Sequence, residues 1–414
     1  MENYITKLEN YNQEHLLKYI DLCNEEQKQN LINQIMTIDF EEIKKLYEIS
    51  KTSNNEKISI NDISSLKYID KNTMSEDFKK EIDSLGEEVI KQNEYAVVTM
   101  AGGQGTRLEH KGPKGTFLLN IAPKPKYLFE ILADSLKNYN KRYNITLNWY
   151  IMTSTENNQE TIDFFEKHNY FDYPKKSIKF FEQGNLPLLS EKGKLLIDEN
   201  YQIKMVANGN GCIYNSMKIN GILDDMKSKN IKWVFIGAVD NALLNMVDST
   251  LLGLTIYQKN QIGSKSIPKA SPTEKVGVFC KKNNRPIVIE YSEMPDGLAE
   301  LTDENGELLY GESHIMCNLF SLEALEKIAN KALPYHSAHK KSNYLDENGN
   351  LVTAKEPNAY KYEEFIFDSF RFFENMTILR GKREEDFAPI KNKEGVDSPE
   401  TAIKLYNNLH NKNT

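Results

Sequence analysis

Apolar positions change rhythm along this chain. Up to about residue 90 they recur at three- and four-residue steps: Leu8, Tyr11, Leu16, Leu17 and Ile20, then Leu31, Ile32 and Ile35, then Ile43, Leu46 and Tyr47. That spacing lines one face of a helix, so residues 1–90 are expected to form an N-terminal helical section, with polar residues 51–56 as a loop. From Tyr95 the rhythm breaks. Tyr95-Ala96-Val97-Val98-Thr99-Met100 is a short apolar run that stops at glycines, the pattern of a strand buried on both faces. Similar runs follow at 147–152, 178–181 and 233–239, with helical stretches at 161–168 and 214–227 between them. Alternating strands and helices predict an α/β domain with a mostly parallel sheet, with ligands at the C-terminal strand ends.

Beyond about residue 275 the pattern turns antiparallel. Residues 276–280 and 286–291 flank a polar Lys281-Lys282-Asn283-Asn284 turn. A strand at 376–380 and a helix near 401–409 close the chain. The expected division is 1–90 helical, 91–375 catalytic and 376–414 a small C-terminal β/α domain.

Composition narrows the class. Of 414 residues, 39% are hydrophobic and 27% charged, enough to build a core. The net charge of −8 argues against a nucleic-acid binder, which would carry a basic surplus. Cys23, Cys212, Cys280 and Cys317 stand far apart, so neither a zinc knuckle nor a disulfide framework is expected. No stretch approaches 18 apolar residues and no signal pattern follows Met1, so a cytoplasmic protein without a membrane span is expected. His336 and His339 are spaced HxxH but have no third ligand nearby and are read as loop residues.

The chemistry concentrates after the first strand, in Met100-Ala101-Gly102-Gly103-Gln104-Gly105-Thr106-Arg107-Leu108. Three glycines in four positions let backbone N–H groups approach a phosphate or a base. Arg107 adds a planar fork for phosphate oxygens, and Lys114 follows in the tight Lys111-Gly112-Pro113-Lys114-Gly115 turn. The dinucleotide fingerprint fails because Leu108 stands at its third glycine, and the P-loop pattern is absent. Pro123-Lys124-Pro125-Lys126 also stands where a dehydrogenase would carry an acidic strand end. Asp240, closing the run 233–239, sits where a carboxylate could hold Mg²⁺ or cap the next helix.

These residues resemble the eukaryotic-type UDP-sugar pyrophosphorylases, and among them the UDP-N-acetylglucosamine pyrophosphorylases most. The likeness continues in order through Phe181-Glu182-Gln183-Gly184-Asn185-Leu186-Pro187, Ala207-Asn208-Gly209-Asn210-Gly211, Val239-Asp240-Asn241, Pro272-Thr273-Glu274-Lys275-Val276-Gly277-Val278, Glu290-Tyr291-Ser292-Glu293, Phe365-Ile366-Phe367-Asp368 and 383–392. The resemblance implies a Rossmann-like nucleotidyltransferase sheet flanked by helices, and a Mg²⁺-dependent attack of a sugar 1-phosphate on the α-phosphorus of UTP. It assigns Arg107, Lys114 and Lys361 to catalysis and Asp240 to the metal. Ala101, Gly102, Gly103, Gln183 and Gly209 fall to the nucleotide, and Asn210, Gly211, Glu290 and His314 to the sugar.

Three departures stand out. Glu109 replaces a family glycine and is expected to point away from the ligand. The stretch His110-Lys111-Gly112-Pro113-Lys114 is closer to UDP-glucose enzymes, and His314 replaces a sugar-contacting Asn. Glucose 1-phosphate, or several sugar phosphates, is therefore the alternative to N-acetylglucosamine 1-phosphate. A non-catalytic nucleotide-sugar sensor is a further alternative, against which Arg107, Lys114 and Asp240 are all retained. The chain is expected to act as a monomer or homodimer.

Overall fold

The computed structural model describes residues 3–51, 62–295 and 297–411, so most of the expected 51–56 loop lies outside the described residues. Contacts divide the chain into two compact units. The smaller comprises Met1–Glu56, Gly184–Cys212 and Leu333–Ile366; the larger comprises Lys57–Gln183, Ile213–Ala332 and Phe367–Thr414.

The larger unit is built on one sheet of eleven strands: β1 (Ile63–Ser65), β2 (Ile69–Asp70), β3 (Tyr95–Met100), β4 (Asn148–Thr153), β5 (Ile178–Glu182), β6 (Trp233–Ala238), β7 (Ile262–Pro268), β8 (Val278–Lys282), β9 (Arg285–Ile289), β10 (Glu312–Ser321) and β11 (Thr377–Arg380). Their order is β2-β11-β7-β10-β6-β3-β4-β5, with β1, β8 and β9 branching off through β8. β6, β3, β4 and β5 run parallel, as do β7, β11 and β2; β10 runs antiparallel to both its neighbours. All six residues of β3 and of β4 are buried, as their mainly apolar runs predict for strands covered on both faces. Their few polar groups are paired inside: Trp149 Nε1 donates to Thr99 Oγ1 at 2.8 Å, and the Tyr95 hydroxyl donates to the Met246 carbonyl at 2.7 Å.

The expected helix at 214–227 is two helices, Ile213–Ile219 and Ile222–Ser228. They part at Gly221, whose φ of +67° a side chain would resist. The expected β8–β9 hairpin forms, with Val278 opposite Ile289.

In the smaller unit the helices Tyr4–Asn10, His15–Leu22, Glu25–Thr37 and Phe40–Lys51 bury Leu8, Leu16, Leu31, Ile35 and Leu46 against Leu189, Leu195, Ile197 and Tyr362. A strand at Ala359–Glu363 lies between His336–Lys340 and Leu189–Ser190. His336 and His339 are therefore strand residues, not loop residues, and His339 meets Glu191 at 3.1 Å.

The units do not follow the boundaries expected at 90 and 376. The first four helices belong to the smaller unit, whereas β1, β2 and the helix Glu76–Lys91 belong to the larger. β11 is inserted between β2 and β7, so the stretch expected to form a separate C-terminal domain contributes a strand to the main sheet. Among the described residues, no helix is long and apolar enough to cross a membrane.

Candidate functional site

Strand polarity gathers most of the expected residues on one edge of the main sheet. β3, β5 and β6 end at Met100, Glu182 and Ala238, and Ala101, Gln183 and Asp240 follow directly or nearly so. β10 runs the other way: Cys317 faces Gly237, so His314 lies beyond the end of β6, on that same edge. Val278 of β8 pairs with both Ser313 and Ile289, which brings Glu290 there too.

The glycine loop is held by main-chain bonds. Ala101 N–H donates to the Met152 carbonyl at 2.7 Å, and Asn157 Nδ2 donates to the Ala101 carbonyl at 3.1 Å. Gly105 N–H donates to the Gly112 carbonyl, and Lys114 N–H to the Gly103 carbonyl at 3.0 Å. The carboxamide of Gln183 lies flat against Gly102, where a Cβ would stand 2.7 Å from Oε1. Only glycine permits that approach. A Cβ on Gly103 would meet no atom within 4 Å, and Gly103 is exposed.

Two cations flank the loop. Arg107, in the short turn Thr106–Leu108, is exposed and makes no ion pair among the described residues. Lys114, in the turn Lys114–Thr116, places Nζ 2.7 Å from Asp240 Oδ2, with the two side chains 13% and 24% exposed. Glu109 turns outward to Lys393 at 2.8 Å.

Asp240 is held from its main chain. Its carbonyl accepts from Ile390 N–H at 2.9 Å, and Ala242 N–H donates to the Ala388 carbonyl at 3.0 Å. The buried Asn241 side chain donates to the Asp386 carbonyl and accepts from Ala388 N–H, both at 2.8 Å.

His314 is 7% exposed. A bulge in β10 accounts for its position: between the pairs Ser264–Asn318 and Ser266–His314, β10 carries the extra residues, with Met316 at φ +57°. Residues four apart on a strand are normally far beyond contact. Here His314 Nε2 and Asn318 Oδ1 come within 3.0 Å. The ring meets Phe279, Phe367 and Phe370 edge-on, and burial pushes its pKa down to about 4 against a smaller upward effect from Asn318. His314 is thus a neutral, caged imidazole with one nitrogen engaged, rather than an open sugar-facing side chain. Its main-chain N–H donates to the Gly277 carbonyl, and Glu290 Oε1 stands 3.0 Å from where a Cβ on Gly277 would be, so both sugar candidates meet around Gly277.

Gly209, Asn210, Gly211 and Lys361 belong to the smaller unit. Gly209 has φ +90°, Gly211 N–H donates to the Glu364 carbonyl, and Asn210 Oδ1 accepts from Ile366 N–H at 2.8 Å. The amide oxygen of Asn210, a side chain expected at the sugar, thus accepts from the backbone. Lys361 pairs with Glu363 at 2.8 Å, two residues along the same strand face. Asn208 is a further candidate: it is 9% exposed, and its buried Oδ1 has no hydrogen-bond partner among the described residues. Its place inside the Ala-Asn-Gly-Asn-Gly run was the available signal.

Comparison with known proteins agrees with this arrangement. A family described as UTP–glucose-1-phosphate uridylyltransferase matches residues 37–396. UDP-N-acetylglucosamine diphosphorylase 2 of Arabidopsis thaliana is 32% identical, covering 99% of this chain and 84% of its own. UDP-N-acetylglucosamine pyrophosphorylase of Saccharomyces cerevisiae is 36% identical over 78% of this chain and 70% of its own. The crystal structure of the Trypanosoma brucei UDP-N-acetylglucosamine pyrophosphorylase with an inhibitor superimposes with a TM-score of 0.81 at 27% identity, over 98% of this chain and 84% of that one. Glycine loop, strand-end aspartate and near full-length similarity point the same way: the chain belongs to the UTP–glucose-1-phosphate uridylyltransferase family.

Proposed function

We propose that this chain is a uridylyltransferase that converts UTP and N-acetylglucosamine 1-phosphate to UDP-N-acetylglucosamine and pyrophosphate. A sugar-phosphate oxygen forms the new bond to the α-phosphorus, the α–β bridging bond breaks, and pyrophosphate leaves with that electron pair. The attacking phosphate is already ionised near neutral pH, so the reaction needs no protein nucleophile or general base. It needs two polyanions held in line with their repulsion offset.

The observation that carries the reading is the Lys114–Asp240 pair at the end of the glycine loop. A cation lies beside the carboxylate assigned to the metal, a combination suited to the charge that would develop on the α-phosphate. Arg107 is suited to the leaving pyrophosphate, because its guanidinium is exposed and makes no ion pair among the described residues. Gln183 can offer uracil a donor and an acceptor, with Ala101, Gly102, Gly103 and Gly209 giving backbone approach. Glu290, Asn210 and Gly211 are assigned to the sugar and Lys361 to its phosphate, while His314 acts by shaping the wall around Gly277.

The expected Mg²⁺ suits this donor set as a cation shared with the triphosphate. Asp240 is a single carboxylate, and among the described residues no three His, Cys, Asp or Glu side chains gather. Mg²⁺ is commonly held by one or two carboxylates together with substrate phosphates. When bound, it would neutralise phosphate charge.

The test is pyrophosphate release from UTP and Mg²⁺ with N-acetylglucosamine, N-acetylgalactosamine or glucose 1-phosphate at equal concentration. The expected result is fastest release with N-acetylglucosamine 1-phosphate. Release with glucose 1-phosphate alone would move the assignment to the alternative sugar, and no release from folded protein would leave only the sensor reading.

A further inference from the structure

The least expected side chain in the larger unit is Lys265. It lies mid-strand in β7 and is 1% exposed. Its Nζ sits 2.8 Å from Asp248 Oδ2 and bonds the Asp386 carboxylate, and both aspartates are buried. Burial alone would lower the lysine pKa and raise that of Asp248. The opposite charges outweigh it, so Lys265 is raised and Asp248 lowered. The β10 bulge falls opposite this residue, between Ser264 and Ser266.

A buried ion triad is a poor way to gain stability, because apolar residues of similar volume often do as well or better. Its position suggests another use. Asp248 ends the segment that begins at Asp240, and its other oxygen accepts from Leu251 N–H at 2.9 Å, capping the helix Ser249–Tyr257. Asp386 begins the segment that ends at Ile390, and its carbonyl receives the Asn241 side chain. Three further bonds join the two segments: Ala388 N–H to Asn241 Oδ1, Ala242 N–H to the Ala388 carbonyl, and Ile390 N–H to the Asp240 carbonyl. One ammonium therefore anchors the far end of the Asp240 loop and the near end of the strip stitched to it.

We infer that Lys265 is a positioning residue for uridylyl transfer, acting through Asp386 and Asn241 on the main chain of Asp240. The inference rests on the assignment of Asp240 to the phosphates and their metal. Asp240 carries its load on one carboxylate, so an error of about 1 Å would cost on the order of a hundredfold in rate. A rigid support behind that carboxylate is where the desolvation cost of a buried triad brings a return.

The experiment uses full-length protein and four variants. Asn241→Ala cuts the link while leaving the triad and every reacting group in place. Lys265→Met removes the ammonium and, where it fails to fold, is replaced by the neutral triple variant Lys265→Met/Asp248→Asn/Asp386→Asn. Asp240→Ala controls the underlying assignment. Hydrogen exchange is read at the Ala242 and Ile390 amides without substrate, together with kcat, KM for UTP, Mg²⁺ half-saturation and Tm. Asn241→Ala and the folded triple variant are each expected to speed exchange at both amides, lower kcat about tenfold or more and raise the Mg²⁺ requirement. Unchanged exchange, or faster exchange with wild-type kcat and Mg²⁺ dependence, overturns the positioning role. Full activity in Asp240→Ala instead overturns the assignment beneath it, whatever exchange shows.

Discussion

Two lysine–aspartate pairs of the larger unit are almost the same length and opposite in kind. Lys114–Asp240 spans 2.7 Å with its side chains 13% and 24% exposed; Lys265–Asp248 spans 2.8 Å with 2% and 3%. At the first, solvent can reach both charges, and an incoming anion could compete for the lysine. At the second nothing can, and a second carboxylate from Asp386 closes the cluster. Burial, not distance, decides whether a pair is held in reserve for a ligand or fixed as framework.

The sharpest way to break the comparison is to remove each lysine. Lys265→Met leaves two buried carboxylates facing each other, and loss of one partner of a buried pair typically costs about 3–5 kcal/mol. The expected outcome is a large drop in urea midpoint, checked by equilibrium unfolding, with much of it recovered when Asp248 and Asp386 are also neutralised. Lys114→Ala should barely change that midpoint, because water can reach the carboxylate left behind. Its effect belongs to the rate: kcat/KM for pyrophosphate release should fall on the order of 10²–10³, as for other preorganised donors. Equal destabilisation in both variants would erase the distinction.

Only one of the two lysines was legible in the sequence. Lys114 stands in a dense local signal: glycines, a proline and a second cation in the loop that follows a strand end. Lys265 stands in Ile262-Gly263-Ser264-Lys265-Ser266-Ile267, where no neighbouring cation or cluster of glycines marks it. Its partners come from Asp248 and Asp386, and Asp386 lies 121 residues away, so only the folded sheet brings them together. The same limit hid the Asn318 partner of His314, which depends on the Met316 bulge. Strand runs and the β8–β9 hairpin were readable because period and turn chemistry are local. The unit boundaries were not, since the smaller unit is assembled from three separate stretches with no Pro- or Gly-rich linker to mark them.

His314 extends the comparison to a buried group that stays neutral. Its folded pKa of about 4 lies below the ordinary 6.5. As pH falls through 6.5 the unfolded chain takes up a proton that the folded chain refuses. Stability from this group is therefore full above 6.5 and drains until about pH 4, by on the order of 3 kcal/mol. Urea unfolding between pH 7 and pH 4 should show that slope, and His314→Phe should flatten it by the corresponding amount. A variant as acid-sensitive as the parent would mean that the ring is solvated and ionises freely.

The smallest effect is expected where the distance is again 2.8 Å but burial is least. Glu109 and Lys393 form an ion pair with side chains 71% and 53% exposed. Exposed pairs hold long side chains in place for little net gain, and salt screens them within about 10 Å at 0.1 M. Glu109→Gln should leave Tm unchanged. It also removes a negative charge just past the glycine loop, so kcat/KM for UTP should rise by less than about twofold at low ionic strength and return to the parent value near 0.15 M salt. A larger or salt-independent change would mean that Glu109 reaches the phosphates directly, and then exposure would no longer separate the pairs that matter from those that do not.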